Sequence, residues 1–152
     1  MGFIKKIVVY PDVILLLMKD QKSSILLVDD DLVYRYAATK TIKATGLAGK
    51  IEEYSNVTDA LNFIKANISN PETLPDVIFL DINMPAMDGW EFIDGFNPIA
   101  SSVPKKIYIY IVSSSIDKSD ISRAREIDIV TDYLIKPVFK ERFAEILRSI
   151  RL

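Results

Sequence analysis

The sequence contains neither cysteine nor histidine among its 152 residues. Without cysteine the chain has no disulfide and no thiolate metal site. Without histidine it has no histidine-based catalytic triad, no histidine-ligated zinc and no phosphohistidine of its own. The groups left to do chemistry are carboxylates, hydroxyls and amines. Such groups suit a hard cation that prefers oxygen ligands.

The chain also lacks an excess of positive charge. Its formal net charge is -2 at pH 7, whereas a nucleic-acid-binding domain normally has a marked basic excess. We therefore expect no nucleic-acid partner. With 49% hydrophobic and 26% charged residues, the composition is that of an ordinary globular protein. The length is sufficient for one domain with its own core.

The first 22 residues do not follow the pattern of the rest. Residues 3–18 are mostly apolar, but Pro11 interrupts them. The longest uninterrupted piece, residues 13–18, is far shorter than the roughly 20 residues of a membrane helix, and no small-residue cleavage site follows it. We expect no membrane partner and interpret residues 1–22 as an appendage or leader before a domain at 23–152. An extra packed strand or helix is the alternative.

From residue 24 onward, short apolar runs alternate with amphipathic segments. The apolar runs are residues 25–28, 77–80, 107–112 and 133–135, and a further short strand is predicted at residues 51–54. An apolar run without polar alternation indicates a strand that is covered on both faces, as in a parallel sheet. The segments between the runs, and after the last one, have helical spacing of their apolar residues. This order predicts an α/β fold, a five-stranded parallel sheet with helices on both faces.

Single residues mark the ends of some of the predicted helices. Gly46 is expected to end the first helix as a C-cap. Asn56 is expected to cap the second helix at its amino end. The aromatic residues of the third helix, Trp90, Phe92 and Phe96, are interpreted as packing residues.

Polar residues come directly after four of the five predicted strands. Residues 29–31 are all aspartate, Asp81 follows the third strand, Ser113 the fourth and Lys136 the fifth. The carboxyl ends of parallel strands share one edge of the sheet, and open α/β sheets bind their ligands at that edge. We therefore expect these side chains to meet in one site.

An acidic cluster of this kind favours a divalent cation. Carboxylates that are held close together repel one another, and a cation relieves the repulsion. Mg²⁺ takes one or two carboxylates, keeps several waters and completes its shell with phosphate oxygen. Asp30 and Asp81 would bind the ion directly. Asp29 would bind it through a water, and Asn83 through its backbone carbonyl.

The same site is suited to phosphoryl transfer. If Asp81 is the nucleophile, its attack on a phosphoryl donor gives an acyl phosphate. Lys136 and the Ser113 hydroxyl would then bind the new oxygens. Simpler interpretations exist, because aspartates at 29–31 can cap a helix and residues 113–115 can form an ordinary serine-rich loop. Neither explains why all four positions fall at one edge.

Residues 24–152 resemble the receiver domain of two-component response regulators, the CheY-like family. Four motifs carry the resemblance in order: Leu-Val-Asp-Asp-Asp at 27–31, Leu-Asp-Ile-Asn-Met-Pro at 80–85 with Met-Asp-Gly at 87–89, Val-Ser-Ser at 112–114, and Tyr-Leu-Ile-Lys-Pro at 133–137. The resemblance implies a flavodoxin-like sheet with strand order 2-1-3-4-5, the order known from CheY.

The resemblance also implies a role for each of seven residues. They are Asp81 as phosphoacceptor, Asp29 and Asp30 as acidic Mg²⁺ ligands, Asn83 as carbonyl ligand, Ser113 as switch hydroxyl, Tyr133 as switch aromatic and Lys136 as phosphoryl-binding amine. It further implies a cis peptide bond between Lys136 and Pro137, which costs little before proline. The family usually has glycine a few residues before the switch aromatic, where this chain has Asp-Ile-Val-Thr at 128–131.

The function that follows from the resemblance is a stand-alone receiver in phosphorelay signal transduction. It would accept a phosphoryl group from a sensor histidine kinase or a histidine phosphotransfer protein. It would then signal to a downstream protein through changed surface contacts, in the cytoplasm and as a monomer or weak homodimer. It would catalyse only its own phosphorylation and dephosphorylation.

Two other functions remain open at this point. One is a phosphatase or phosphotransferase with an aspartyl nucleophile, although such phosphatases use Asp-x-Asp where this chain has Asp-Ile-Asn at 81–83. The other is a receiver-shaped binding module that is never phosphorylated. Such a module has no physical need for Asp81 together with Lys136 and the remaining polar residues of the site.

Overall fold

The computed structural model describes residues 6, 8–14 and 22–150. The strands are β1 (Ser23–Val28), β2 (Ala48–Tyr54), β3 (Val77–Leu80), β4 (Tyr108–Ser113) and β5 (Val130–Ile135). The helices are α1 (Leu32–Ala44), α2 (Val57–Ala66), α3 (Gly89–Phe96), α4 (Lys118–Glu126) and α5 (Lys140–Ser149), and a 3-10 helix (Asn97–Ser102) follows α3. None of the helices in this described part combines the length and the hydropathy that a membrane span requires.

The five strands form one parallel sheet in the order β2-β1-β3-β4-β5. The predicted fold class and strand order are therefore confirmed. Strand β3 lies at the centre, and all four of its residues are buried. An unbroken apolar run is what a strand covered on both faces requires.

Side chains of the inner strands alternate between two apolar clusters, one on each face of the sheet. Leu26 of β1 and Ile78 of β3 face the cluster that α2, α3 and α4 cover. Leu27 and Phe79 face the cluster that α1 and α5 cover. Because successive residues of a strand point to opposite faces, each strand anchors helices on both sides. Burying one such large apolar side chain contributes about 1.5–3 kcal/mol.

Both edge strands are longer than predicted from the sequence. Strand β2 begins at Ala48 rather than residue 51, and β5 begins at Val130 rather than residue 133. The pairing of β4 with β5 shifts register near residues 128–131, the segment in which receiver domains usually have glycine. Ile109 pairs with Val130, but Tyr110 pairs with Asp132. No residue other than glycine has a positive φ in the described part of the chain.

The predicted helix ends are present. Gly46 has a φ of 71° directly after the C-cap of α1, a backbone conformation that glycine adopts without a steric cost. The Asn56 side chain accepts the backbone N–H of Asp59 at 2.8 Å at the start of α2. Trp90, Phe92 and Phe96 are buried, as expected for packing residues.

Most of the segment interpreted as an appendage or leader, residues 1–22, lies outside the described residues. Within it, residues 11–14 form a helical turn, in which the N–H groups of Val13 and Ile14 donate to the Tyr10 carbonyl at 3.1 Å. The side chains of residues 8–14 are exposed. The interpretation of residues 1–22 stays a prediction.

Candidate functional site

The register of the sheet brings two of the predicted carboxylates together. Val28 at the end of β1 pairs with Leu80 at the end of β3, so Asp29 and Asp81 follow on neighbouring strands. The Asp81 N–H donates to the Val28 carbonyl at 2.9 Å. Both aspartates are buried, with 3% and 6% of their surface exposed. Asp30, the next residue, is exposed.

The hydroxyl and the amine arrive from the other side of β3 in the same way. Ser113 ends β4 and pairs with Ile135 at the end of β5. The Lys136 N–H donates to the Ser113 carbonyl at 2.8 Å, which fixes the backbone of both residues. The Lys136–Pro137 peptide bond is cis, as the resemblance implied.

The three carboxylates form a cluster that suits a cation. Oxygen atoms of Asp29, Asp30 and Asp81 lie within 4.8 Å of one another. The Lys136 ammonium donates to Asp29 Oδ2 at 2.7 Å and lies 3.8 Å from Asp81 Oδ2. Two buried carboxylates and one exposed carboxylate, all offering oxygen, match the donor set of a hard divalent ion. The residues present therefore fit a metal ion at this edge.

Burial is the main influence on the acidity of Asp81. It raises the pKa of the Asp81 carboxyl, and the negative charges of Asp29 and Asp30 raise it further. The Asn83 N–H, which donates to Asp81 Oδ1 at 3.1 Å, and the Lys136 ammonium act in the opposite direction. Any cation that enters the cluster would favour the ionised carboxylate.

Asn83 links Asp81 to the predicted switch hydroxyl. The Asn83 amide Nδ2 donates to Ser113 Oγ at 3.0 Å, and the Ser115 N–H donates to the same oxygen at 3.1 Å. The Ser113 side chain is fully buried. Asn83 and Ser113 thus belong to the site, while the Asn83 carbonyl as a metal ligand stays a prediction.

Tyr133 connects β5 with the loop that follows β4. It packs against the cluster on the α2–α4 face, and its hydroxyl donates to the Ser115 carbonyl at 2.8 Å. The Ser115 hydroxyl in turn donates to Asp120 in α4 at 2.8 Å. Ser113 is therefore linked through Ser115 to Tyr133 of β5 and to Asp120 of α4.

The third aspartate has a different role from its two neighbours. Asp31 is the N-cap of α1, and its Oδ1 accepts the N–H groups of Val33 and Tyr34 at 2.9 and 3.1 Å. The capping interpretation of residues 29–31 is thus correct for Asp31 alone. The cap holds the first turn of α1 beside the site.

Three residues at the site have roles that sequence reasoning missed. The Tyr34 ring centroid lies 3.9 Å from Lys136 Nζ, although its sequence position indicates only an inward-facing helix residue. Burial, followed by the charges of Asp29 and Asp81, raises the pKa of the Tyr34 phenol. Arg35 Nη1 donates to the Asp29 carbonyl.

The third of these residues is Gly89, which packs directly on the main chain of Asp81. A Cβ atom at Gly89 would lie 2.3 Å from the Asp81 carbonyl oxygen and 2.9 Å from Ile82 Cα. Only glycine leaves room for this contact. In the sequence, only the Met-Asp-Gly motif at 87–89 marks this glycine. The motif does not show which part of the main chain the glycine contacts.

Comparison with known proteins identifies relatives of the chain. It is 26% identical over 127 residues to the probable methanogenesis regulatory protein FilR2 of Methanothrix harundinacea, covering 84% of this chain and 80% of that protein. It is 30% identical over 129 residues to the sensor histidine kinase CheAY of Helicobacter pylori, covering 84% of this chain but only 15% of that protein.

A solved structure has the same architecture. The crystal structure of a two component response regulator from Cytophaga hutchinsonii superposes with a TM-score of 0.77 at 29% identity, covering 86% of this chain and 98% of that one. The model of the family described as response regulator receiver domain matches residues 25–148. The chain therefore belongs to the response regulator receiver domain family, the CheY-like proteins of two-component systems.

Proposed function

We propose that the protein is an aspartyl-phosphorylation switch that accepts a phosphoryl group on Asp81. The observation that carries the proposal is the position of this carboxylate. It is buried at the end of the central strand, within one cluster with Asp29 and Asp30 and 3.8 Å from the Lys136 ammonium. The donor would be the phosphohistidine of a sensor histidine kinase or of a phosphotransfer protein.

The acidic cluster would hold Mg²⁺ through Asp29, Asp30 and Asp81. When bound, the ion would neutralise negative charge that the carboxylates and the phosphoryl group bring together. A neighbour by fold, the response regulator Rcp1, is known in a Mn²⁺-bound form, at 22% identity and a TM-score of 0.64. Mg²⁺ suits a site of few carboxylates completed by water and phosphate.

The transfer step uses the ionised form of Asp81. A carboxylate oxygen attacks phosphorus, the P–N bond to the donor histidine breaks, and the histidine nitrogen keeps the electron pair. The product is an acyl phosphate on Asp81. The Lys136 ammonium and the Ser113 hydroxyl would donate hydrogen bonds to its oxygens. Because burial raises the pKa of Asp81, acidic solution would slow the reaction by protonating the nucleophile.

The signal would follow from a change of partners at Ser113. Its oxygen accepts hydrogen bonds from Asn83 Nδ2 and the Ser115 N–H, and turning toward a phosphoryl group would release the loop after β4. Tyr133 is tied to that loop through the Ser115 carbonyl. The altered surface around β4, β5 and α4 would bind a downstream protein, as a shift between two populated states.

The same proposal covers the setting of the protein. It would act in the cytoplasm, where a kinase can reach it, and would have no enzymatic activity besides its own phosphorylation and dephosphorylation. An aspartyl phosphatase is less well supported. The residue two positions after the nucleophile is Asn83, whose amide donates to Ser113 and which cannot serve as a general acid.

The experiment is treatment with acetyl phosphate and Mg²⁺, followed by intact-mass spectrometry. Wild type should gain one phosphoryl group, and so should the control Asp94→Asn, which removes an exposed carboxylate of α3. Asp81→Asn should gain none. Equal modification of Asp81→Asn would refute the proposal. Multiple-turnover hydrolysis of phosphomonoesters by wild type would favour the phosphatase instead.

A further inference from the structure

The Lys136 ammonium lies against an aromatic ring as well as against carboxylates. Its Nζ atom is 3.9 Å from the centroid of the Tyr34 ring, 2.7 Å from Asp29 Oδ2 and 3.8 Å from Asp81 Oδ2. We propose that Tyr34 is a positioning residue, whose ring holds this ammonium in the site while it moves from Asp29 to the phosphoryl group on Asp81. The inference rests on the proposed function.

The distances show how the ring can support the ammonium. The ammonium is hydrogen-bonded to Asp29, but at 3.8 Å it is too far from Asp81 for a hydrogen bond. Reaching hydrogen-bond distance to Asp81 Oδ2 would take a movement of about 1 Å. Cation–π attraction acts within about 6 Å of the ring centroid. A movement of this size keeps the ammonium within reach of the ring, so the ring can hold it both before and after the movement.

Lys136 and Tyr34 are both held by their backbones, one at the end of the sheet and the other in the first turn of α1. The Lys136 backbone is fixed to Ser113 at the end of the sheet, so its long side chain is the part with freedom to move. Tyr34 is held in the first turn of α1, because its N–H donates to the capping Asp31. An apolar ring at this place also excludes water that would hydrate the ammonium and favour its escape from the site.

Tyr34 would touch none of the reacting atoms. With acetyl phosphate as donor, an Asp81 oxygen attacks phosphorus, the bond from phosphorus to the acetyl oxygen breaks, and acetate leaves with the electron pair. Lys136 donates a hydrogen bond to a phosphoryl oxygen without giving up its proton. Removing the Tyr34 ring should therefore change how often Lys136 is in place, and so the rate, without abolishing the reaction.

The chain offers a matched control on the same helix. Tyr36 lies beneath the ammonium of Lys40, with Nζ 4.7 Å from its ring centroid, and is exposed. Tyr34→Leu removes the ring at the site, Tyr34→Phe keeps it, and Tyr36→Leu removes a similar contact elsewhere. Tyr34→Met replaces the leucine variant should that variant not fold, with the same expected results.

The first measurement is the ¹H–¹³C NMR signal of the Lys136 ε-methylene group in the protein without phosphodonor or metal. An aromatic ring this close shifts the signal upfield. The shift should be present in wild type, Tyr34→Phe and Tyr36→Leu and lost in Tyr34→Leu. A wild-type signal without the shift would overturn the inference.

The second measurement is the initial rate of phosphorylation by acetyl phosphate with Mg²⁺. Tyr34→Leu should be slower by about 2- to 30-fold, the range expected for a cation–π contact. Tyr34→Phe and Tyr36→Leu should react like wild type. A leucine variant as fast as wild type would overturn this inference alone, and so would a phenylalanine variant as slow as leucine. If wild type itself takes no phosphoryl group, the proposed function fails and the inference with it.

Discussion

The contact between Gly89 and Asp81 leads to a quantitative prediction for Gly89→Ala. The added Cβ would lie 2.3 Å from the Asp81 carbonyl oxygen, 2.9 Å from Ile82 Cα and 3.0 Å from the Asp81 carbonyl carbon. All three neighbours are backbone atoms, which cannot rotate away as a side chain can. The start of α3 or the loop before it must therefore shift, and with it the main chain of the phosphoacceptor.

The magnitude follows from two opposing effects. Overpacking costs about 1–3 kcal/mol, and a clash with backbone falls at the upper end of this range. Alanine gains up to about 1 kcal/mol over glycine inside a helix, which offsets a part of the cost. The free energy of unfolding should fall by about 2 kcal/mol, or roughly 4–8 °C in Tm for a chain of this size.

Urea and thermal unfolding, followed by circular dichroism, measure this loss. The control is Gly95→Ala, whose Cβ would lie 2.7 Å from Leu61 Cδ1. Because this side-chain methyl can move, the free energy of unfolding of Gly95→Ala should fall by less than about 1 kcal/mol. At a temperature where Gly89→Ala is folded, it should also be phosphorylated more slowly than wild type. A Gly89→Ala protein that is no less stable than Gly95→Ala would contradict this prediction.

Two further variants test the electrostatics and the switch loop. Asp81→Asn should raise the free energy of unfolding at pH 7 without divalent cations by about 0.5–2 kcal/mol. Burial raises the pKa of Asp81 from its ordinary 3.8, so the folded state binds more protons than the unfolded state just above pH 3.8, and wild-type stability falls as pH rises through that window. Denaturant titrations should show that the difference in free energy of unfolding between Asp81→Asn and wild type grows above that pH. An equal difference at all pH values would contradict this prediction. Tyr133→Phe loses the hydrogen bond to the Ser115 carbonyl and should lower the free energy of unfolding by about 1 kcal/mol. The initial phosphorylation rate should stay unchanged. A variant as stable in urea as wild type would contradict this prediction.

The centre of the sheet could be predicted from the sequence because its chemistry is local. Strand β3 is an unbroken apolar run that ends in Asp81, and all four of its residues are buried. The edge strands were predicted too short for a physical reason. An edge strand has a neighbouring strand on one side only and is less buried than a central strand. Strand β2 therefore contains Lys50 and β5 contains Asp132, and these charged residues interrupt the apolar pattern that indicates a strand. The 3-10 helix (Asn97–Ser102) also gave no periodic signal.

The site could be assembled from the sequence only in part. Asp29, Asp81 and Lys136 follow strands and Ser113 ends one, so the parallel topology alone brings them to one edge. The contacts of Tyr34 and Gly89 depend on how α1 and α3, which begin at this edge, pack there. The sequence contains no pattern that indicates which aromatic ring lies against Lys136. The strand order itself rested on the resemblance, since several orders suit the same alternation of strands and helices.

Identifying the modified residue distinguishes phosphoryl transfer to Asp81 from transfer to a neighbouring carboxylate. Borohydride reduces an aspartyl phosphate to homoserine, which peptide mass spectrometry distinguishes from aspartate. After treatment with acetyl phosphate and Mg²⁺, we predict homoserine at position 81 and unaltered aspartate at Asp29 and Asp30. Homoserine at either of those positions, or at none, would contradict the account.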